Sequence, residues 1–467
     1  MIEITPNKTI HFIGIGGSGM SPIAKILLEK SFKVTGSDIK ESVNTIRLKD
    51  AGAKIFYGHG ESNLREADIV VVSSAIAENN EEYQHALGLN LPILRRAEML
   101  NFLMNACIKR IAVCGTHGKT TTTSMLTQVL GKLNQQPTYI IGGELKDFGG
   151  NAGLGNGNYF VAEADESDGS FLMLNANIGI LTNIEAEHMN YFKTFDNLMD
   201  HFKKLLTGIT QKGGYVVLNR DDDNINQIAK TLPASQIVSY SVDTASEIMA
   251  TDLTFSPSGT AYTLILNGKP WGTVKLSVFG RHHVYNSLAT IAFAAKEQLD
   301  LEAAVKSLQN FSGAKRRFQL IGEVKGIRIY DDYGHHPTEI KTTLLGAKNC
   351  LHGRLIGIFQ PHRYSRTMDF LDDFAASFDA ADKVIITDIY AANEQKIDGI
   401  SGNTIIEKMK ASGRHHGEFI ALKSHIPDKL IAELSDGDIV VTIGAGDIYT
   451  VAKELVTRLK QKEQIHS

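Results

Sequence analysis

The residues with the most explicit chemistry form one short run. Gly115-Thr116-His117-Gly118-Lys119-Thr120-Thr121 follows an apolar stretch, 108–114, and a helical pattern begins at once behind it. A Gly-Lys-Thr ending is that of a phosphate-binding loop. Its backbone N–H groups cradle phosphate oxygens, its lysine sits on the β/γ-phosphates and its threonine hydroxyl ligates Mg²⁺. Lys119 and Thr120 are expected in those two roles, with ATP as the nucleotide. The general spacing asks for a glycine five positions before Gly118, and Val113 stands there instead.

A second cluster is acidic. Glu163-Ala164-Asp165-Glu166-Ser167-Asp168 places four carboxylates in six residues at the end of another apolar run, 159–164. On a strand Glu163 and Asp165 share a face, and α/β sheets bind ligands beyond the carboxyl ends of their strands. Magnesium takes hard oxygen ligands while it bridges substrate phosphates. A charge run is ordinarily solvated surface, but acids directly behind a buried-looking strand in a phosphate-loop domain point to a metal site. His188 closes the next run, 178–182 with its Asn-Ile-Glu-Ala-Glu-His extension. It is a candidate second metal ligand or phosphate partner, against the ordinary alternative of a histidine with no such duty.

A third constellation lies near the N-terminus, Gly14-Ile15-Gly16-Gly17-Ser18-Gly19-Met20 between a β-branched run and a helical pattern. This is the dinucleotide fingerprint, whose glycines let the backbone approach a pyrophosphate at a helix N-terminus. Asp38 stands at the end of the following strand, where an acid meets a ribose hydroxyl. NAD and a UDP-sugar both carry ribose and pyrophosphate, so the loop by itself does not choose between them. The phosphate loop of the middle segment weighs against a dehydrogenase, which has no use for an ATP site.

These residues must be held by strand ends, and the chain supplies three series of them. Short β-branched runs alternate with amphipathic helical stretches, the signature of α/β domains with largely parallel sheets. The first series has strands at 9–15, 33–36 and 67–72 with a helix at 21–30. The second has strands at 108–114, 159–164, 178–182 and 214–218 and a helix at 120–133. Alternation through 247–278 predicts an antiparallel addition, followed by a helix at 284–298. The third opens near Phe318 and continues through 354–359, 383–387, 419–422 and 438–443. The predicted domains are 1–106, 107–317 and 318–467, an expected number for 467 residues.

Composition excludes several classes. Hydrophobic residues make up 43% and charged residues 21%, with a formal net charge of −4, so neither nucleic acid nor an anionic membrane is expected as partner. Cys107, Cys114 and Cys350 form no disulfide framework and no zinc spacing. No secretory leader is legible, and no apolar run reaches the roughly 18 residues of a membrane span. The chain is expected in the cytoplasm, without membrane insertion.

The motifs taken together resemble the Mur ligases, the ATP-dependent ligases of peptidoglycan precursor synthesis. The resemblance covers essentially the whole chain: His11-Phe-Ile-Gly-Ile-Gly-Gly-Ser-Gly-Met-Ser21, Ser73-Ser-Ala-Ile76, Arg95-Arg-Ala-Glu-Met-Leu100, the loop at 115–122, the acids at 163–168 and Thr182-Asn-Ile-Glu-Ala-Glu-His-Met189. Further along come Phe279-Gly-Arg-His-His-Val-Tyr-Asn286, Arg316-Arg-Phe-Gln319, Tyr330-Asp-Asp-Tyr-Gly-His-His-Pro337 and Phe359-Gln-Pro-His-Arg-Tyr-Ser-Arg-Thr367. It implies a three-domain α/β architecture: a Rossmann-like N-terminal domain for the UDP-sugar, a central P-loop ATPase-like domain, and a C-terminal Rossmann-like domain that closes over both. Within the family, the matches point to the branch that joins L-alanine to UDP-N-acetylmuramate, with Mg²⁺, or Mn²⁺ in its place, as metal.

Carried over by position, the resemblance assigns Gly16, Gly17, Ser18, Gly19, Met20, Asp38, Ser73 and Ser74 to the UDP-sugar. Gly115 to Thr121, namely Gly115, Thr116, His117, Gly118, Lys119, Thr120 and Thr121, fall to ATP. So do His282 and Asn286 at its adenine end, and Arg317 with Asp331 or Asp332. Thr120, Glu163 and His188 fall to the metal, and Tyr333, His335, His336, Arg363 and Arg366 to L-alanine. His335 and His336 either accept the amine's proton, orient the amine, or only punctuate the turn before Pro337. A dinucleotide oxidoreductase, a nucleotide switch and, within the family, a ligase that attaches a whole tripeptide are the competing readings.

Overall fold

The computed structural model describes residues 3–145, 150–313, 315–392 and 394–466, and in it the apolar runs become the strands of three sheets. The first is all parallel, in the order Lys54–Tyr57, Lys33–Asp38, Thr9–Ile13, Ile69–Val72, Ile93–Arg95. Its order reverses direction between Thr9–Ile13 and Ile69–Val72, which opens a crevice at their carboxyl ends.

The second sheet has ten strands around a parallel centre of Tyr215–Asn219, Ile178–Leu181, Lys109–Cys114 and Tyr159–Glu163. Strand residues Ile111, Ala112, Val113 and Cys114 are fully buried, as a sheet covered on both faces requires. Strands Ile248–Ser256, Gly259–Leu266 and Lys269–Leu276 extend one edge where alternation predicts an addition. The third sheet runs Gln319–Val324, Ile327–Asp332, Ile439–Ile443, Leu355–Phe359, Lys383–Ile386, Gly417–Phe419, with only its first pair antiparallel. Its last strand lies two to three residues earlier than the 419–422 expected. Backbone bonds from Ile420 N to the Ile386 carbonyl and from Asp388 N to the Ala421 carbonyl, with the Thr387 hydroxyl donating to the same Ala421 carbonyl at 2.8 Å, carry the contact on to the turn Lys423–His425. Cys114 and Cys350 are buried free thiols and Cys107 is half-buried. Among the described residues no helix is long and apolar enough to cross a membrane.

The chain divides into two compact units. One comprises 1–251, 263–274 and 285–311 and holds the first sheet and the parallel centre of the second. The other comprises 252–262, 275–284 and 312–467 and holds the third. Within the first unit the two sheets are fastened by polar contacts between their helices and loops. Lys25 Nζ donates to the Ala152 carbonyl at 2.6 Å and Leu154 N to Glu29 at 2.8 Å. Asn175 N donates to Asn101 Oδ1 and Asn175 Nδ2 to Asn105 Oδ1, both at 2.8 Å.

Behind the first sheet lies a buried polar network. Glu82, fully buried, accepts from His11 Nε2 at 2.8 Å on one oxygen and from the Ser37 hydroxyl at 2.6 Å on the other, with His59 Nδ1 2.9 Å away. Burial pushes this carboxyl up, but the bonds from His11, Ser37 and His59 prevail and hold it below its ordinary range. Removing one member of such a network strands the others without water. Glu82→Ala is therefore expected to cost about 3–5 kcal/mol of stability, and Glu82→Gln, which keeps an acceptor in place, distinctly less. Urea unfolding of both variants checks this, and an unchanged midpoint for Glu82→Ala would refute it.

Candidate active site

The phosphate loop is shaped by two left-handed glycines. Gly115 has φ +124°, and a Cβ there would lie 2.2 Å from Thr182 Oγ1; Gly118 has φ +82°, and its Cβ would lie 2.7 Å from Asn286 Oδ1. The loop is stitched to the neighbouring strand end. Thr116 N donates to the Asn183 carbonyl, His117 N to Asn183 Oδ1 at 2.8 Å, and the Thr182 hydroxyl to the His117 carbonyl at 2.6 Å. Thr116 Oγ1 accepts from Glu185 N at 2.8 Å. Helix Lys119–Lys132 starts directly from the loop, so its free N–H groups and positive dipole end lie at the site. Thr121 is buried in its first turn, and Asn286 accepts a hydrogen bond from Thr122 at 3.2 Å. Asn286 thus packs on the loop itself.

Lys119 is nearly enclosed. Its Nζ donates to the carbonyls of Gly115 and Thr116 at 2.6 and 3.0 Å and to Glu166 Oε1 at 2.9 Å. Burial pulls its pKa down, but the charges of Glu166 and Asp165 outweigh that and raise it, so it stays an ammonium. Glu166 is 1% exposed, and burial pushes its carboxyl up to about 7 against the pull of Lys119. Its Oε2 has no partner among the described residues.

Alternation on a strand groups Glu163 with Asp165 and leaves Glu166 unassigned. The turn closed by Gly169 N donating to the Glu166 carbonyl brings Glu166 under Lys119 instead. The only signal for it in the sequence is its membership of the acid run. Asn183, which holds the loop from below, was legible only as part of the segment leading to His188.

Glu163 faces the other loop residue. Its Oε1 accepts from Thr120 Oγ1 at 3.0 Å and its Oε2 from Gly142 N at 2.7 Å. A hydroxyl and a carboxylate oxygen this close are hard donors that suit Mg²⁺ or Mn²⁺. His188 sits at φ +57°, a left-handed position uncommon for a side-chain-bearing residue, and its Nε2 is 3.9 Å from Glu166 Oε1.

The first glycine loop stands at the crevice of the first sheet. Gly14, at φ +81°, passes so close to Ser73 that a Cβ would meet the Ser73 Cβ at 3.3 Å. Gly16 N donates to Asp38 Oδ2 at 2.8 Å, which ties the loop to the next strand, and Asn44 donates to the Gly16 carbonyl at 2.9 Å. Gly17, Ser18 and Ser74 are exposed, whereas Met20 is buried beneath the loop. Helix Ser21–Glu29 begins directly behind it. Gly19 lies against Arg96.

The second unit holds a separate cationic and aromatic cluster. Arg317 donates to Glu339 at 3.3 Å and lies over the Tyr333 ring at 5.5 Å. Asp331 pairs not with it but with Arg316, at 2.9 Å, and with the Thr442 hydroxyl at 2.7 Å. Arg316 also donates to the Gly444 and Gly446 carbonyls, so Asp331 and Arg316 brace strand ends. Asp332 accepts from Phe318 N at 2.7 Å and Gly334 N at 2.8 Å. Tyr333 and His335 meet edge to face, and His335 faces His362, which stacks on Tyr390.

Arg366 Nη1 contacts His362 Nδ1 at 3.2 Å, and Arg363, at φ +73°, lies 3.9 Å from Glu394. Tyr333, His335, Arg363 and Arg366 are thus brought near one another around His362, a residue that sequence reasoning quoted but did not assign. His336 is different: it is buried, caps helix Pro337–Cys350 by accepting from Thr338 N at 3.3 Å, and packs on Phe370. His282 is buried against His283, and burial first, then the charge of Arg317, holds it down at about 4.

Fold and loops together define an ATP-dependent ligase of the peptidoglycan type, and the chain belongs to the Mur ligase family. Residues 9–107 match the Mur ligase family catalytic domain, 113–294 the Mur ligase middle domain, and 316–446 the Mur ligase glutamate ligase domain. UDP-N-acetylmuramate–L-alanine ligase of Pelotomaculum thermopropionicum is 43% identical over 98% of this chain and 99% of its own length. The enzyme of the same name from Geotalea uraniireducens is 42% identical over 97% and 98%. Among solved structures, UDP-N-acetylmuramate–alanine ligase of Thermotoga maritima superposes with a TM-score of 0.83 at 29% identity, covering 97% of this chain and 100% of that one. A murein peptide ligase of Psychrobacter arcticus superposes at 0.71 with 27% identity, over 97% and 98%.

Asp332 offers a test of the second unit's electrostatics. Burial pushes its carboxyl up to about 6, opposed by Arg317 and the two N–H bonds. The folded state therefore holds this proton more tightly than the unfolded chain does. Its contribution to stability is present at low pH and is lost as pH rises from about 4 through about 6. Asp332→Asn should flatten that part of the pH–stability curve, read as urea midpoints at pH 4, 5, 6 and 7. A parallel pair of curves for wild type and variant would contradict the assignment.

Proposed function

We propose that this chain joins L-alanine to the lactyl carboxylate of UDP-N-acetylmuramate at the expense of ATP, releasing ADP and phosphate. The observation that carries the reading is the phosphate loop with Lys119 and Thr120 aimed at Glu166 and Glu163. Its weight comes from the near full-length identity to alanine ligases of the family. In this reading residues 1–106 take the UDP-sugar through Gly16, Gly17, Ser18, Gly19, Met20, Asp38, Ser73 and Ser74. Residues 107–317 take ATP, and 318–467 take the amino acid.

The chemistry has to bring two anions together. A carboxylate oxygen of the sugar attacks the γ-phosphorus, the bond to the β-phosphate oxygen breaks, and an acyl phosphate forms with ADP leaving. Alanine's neutral amine then adds to the acyl carbon, and the tetrahedral oxyanion expels inorganic phosphate as the amine gives up its proton. Lys119 and the N–H groups of the loop and helix start neutralise and align the phosphates, the largest service a protein gives such a transfer. Thr120 and Glu163, with His188 at the neighbouring Glu166, would hold a divalent cation, which when bound screens the same charge. Arg363 and Arg366 suit a bidentate grip on alanine's carboxylate. Of the two histidines, His335 is the better placed to meet the amine, because His336 is buried and occupied as a helix cap.

Two measurements test the reading. Lys119→Ala is expected to fold normally and to lose about 10²–10³-fold in kcat or more, the usual effect of removing a preorganised donor at developing charge. Near-normal turnover by that variant would take Lys119 out of the mechanism. With UDP-N-acetylmuramate and Mg²⁺–ATP, phosphate release should favour L-alanine as acceptor. Glycine should be slowed rather than excluded, since a missing methyl is worth about 1–3 kcal/mol. L-Serine should also be weaker and a tripeptide poorest. Preference for the tripeptide would assign the chain to the murein peptide ligase branch instead.

A further inference from the structure

Arg96 has no role in any of these assignments, yet it stands between the first glycine loop and the segment that follows the acid run. It opens helix Arg96–Met104. That helix is pinned to the segment behind the acid run by the two Asn175 bonds to Asn101 and Asn105. The Arg96 side chain lies across Gly19: a Cβ at Gly19 would be 3.0 Å from Arg96 Cδ and 3.1 Å from Nη1, so a side chain there would press on the arginine. On the other side Nη2 reaches Ser170 Oγ, just past the acid run, at a long 3.4 Å.

The guanidinium is half-buried and makes no close salt bridge among the described residues, its charge reaching only the Asp165 carboxyl, which it helps to hold below its ordinary range. Arg316 shows the contrast, spending its donors on a carboxylate and two carbonyls. A guanidinium carries five N–H donors in a planar fork matched to phosphate and carboxylate. Held on a braced helix with those donors in reserve, it is built to meet an anion that arrives from outside.

We infer that Arg96 binds an anionic oxygen of the sugar nucleotide, beside the first glycine loop and on the side of the acid run. This rests on reading that loop as the UDP-sugar site. The substrate carries two such anions, its diphosphate and its lactyl carboxylate, and the first lies nearer the glycines while the second has to reach the phosphate loop. Lysine in the same place would supply charge without the fork and is expected to restore only part of the function.

The test is calorimetry of the full-length wild type, Arg96→Ala and Arg96→Lys with UDP-N-acetylmuramate, UDP-N-acetylglucosamine (which lacks the lactyl carboxylate) and ATP, alongside melting temperatures. Wild-type protein that fails to bind UDP-N-acetylmuramate would defeat the reading of the loop, independently of Arg96. With wild-type binding in hand, Arg96→Ala should weaken UDP-N-acetylmuramate by ~10-fold or more, the usual scale for a charged hydrogen bond. Arg96→Lys should fall between the two, with ATP affinity and melting temperature unchanged. An equal loss for UDP-N-acetylglucosamine assigns Arg96 to the diphosphate, and a loss confined to UDP-N-acetylmuramate assigns it to the carboxylate. Unchanged affinity for UDP-N-acetylmuramate, or a matching loss for ATP, overturns the proposal.

Discussion

A single ammonium group organises the first unit's chemistry. Lys119 Nζ is withdrawn from water among two carbonyls and the Glu166 carboxylate, and desolvating a cation and an anion costs several kcal/mol for each unless geometry compensates. Compensation here demands that the loop hold one shape. The left-handed Gly115 and Gly118 allow that shape, and the Thr182 and Asn183 contacts fix it from the adjacent strand. The parallel pairing of Lys109–Cys114 with both Tyr159–Glu163 and Ile178–Leu181 is what brings loop, acids and Asn183 to one edge. The sheet order is therefore a requirement of the lysine's surroundings as much as of the apolar core.

The same logic of charge placed on rigid supports extends to the first sheet. Its polar interior is satisfied internally, through Glu82, His11, Ser37 and His59, so the groups presented at its carboxyl edge are backbone N–H groups, small side chains and Asp38. An anionic ligand meets dipoles and a helix start there, and the bonds from Lys25 to Ala152 and from Asn175 to Asn101 keep that edge in register with the second sheet. Reaction between two bound anions needs such fixed spacing, since a misplacement of about 1 Å costs orders of magnitude in rate.

The second unit sets some of its charged residues to brace strand ends and gathers others in one cluster. Arg316 and Asp331 brace strand ends, and Asp332 holds two backbone N–H groups. Tyr333, His335, His362, Arg363 and Arg366 remain around one another at the carboxyl ends of Ile327–Asp332 and Leu355–Phe359. Neighbouring positions in sequence thus make different contacts: both arginines lie over Tyr333, but Arg316 braces Asp331 and two carbonyls where Arg317 reaches Glu339, and His336 caps a helix where His335 meets Tyr333 and His362.

The sequence alone determined the class of fold, because period and β-branched runs record which segments are buried on both faces. It also determined the glycine loops and the Lys119–Thr120 pair, because backbone approach to phosphate permits few residue types. Alternation even marked the added strands at 248–276. Tertiary structure decided what periodicity cannot encode. Only the turn after Tyr159–Glu163 puts Glu166 rather than Asp165 under Lys119, and only packing separates Arg316 from Arg317 and His335 from His336. Arg96 is the plainest case. Its motif stands at 95–100, but that it lies against Gly19, distant in the chain, is seen only in the fold. A local pattern reports how a segment is buried, whereas the partner of a charge is chosen by whichever segments the fold brings beside it.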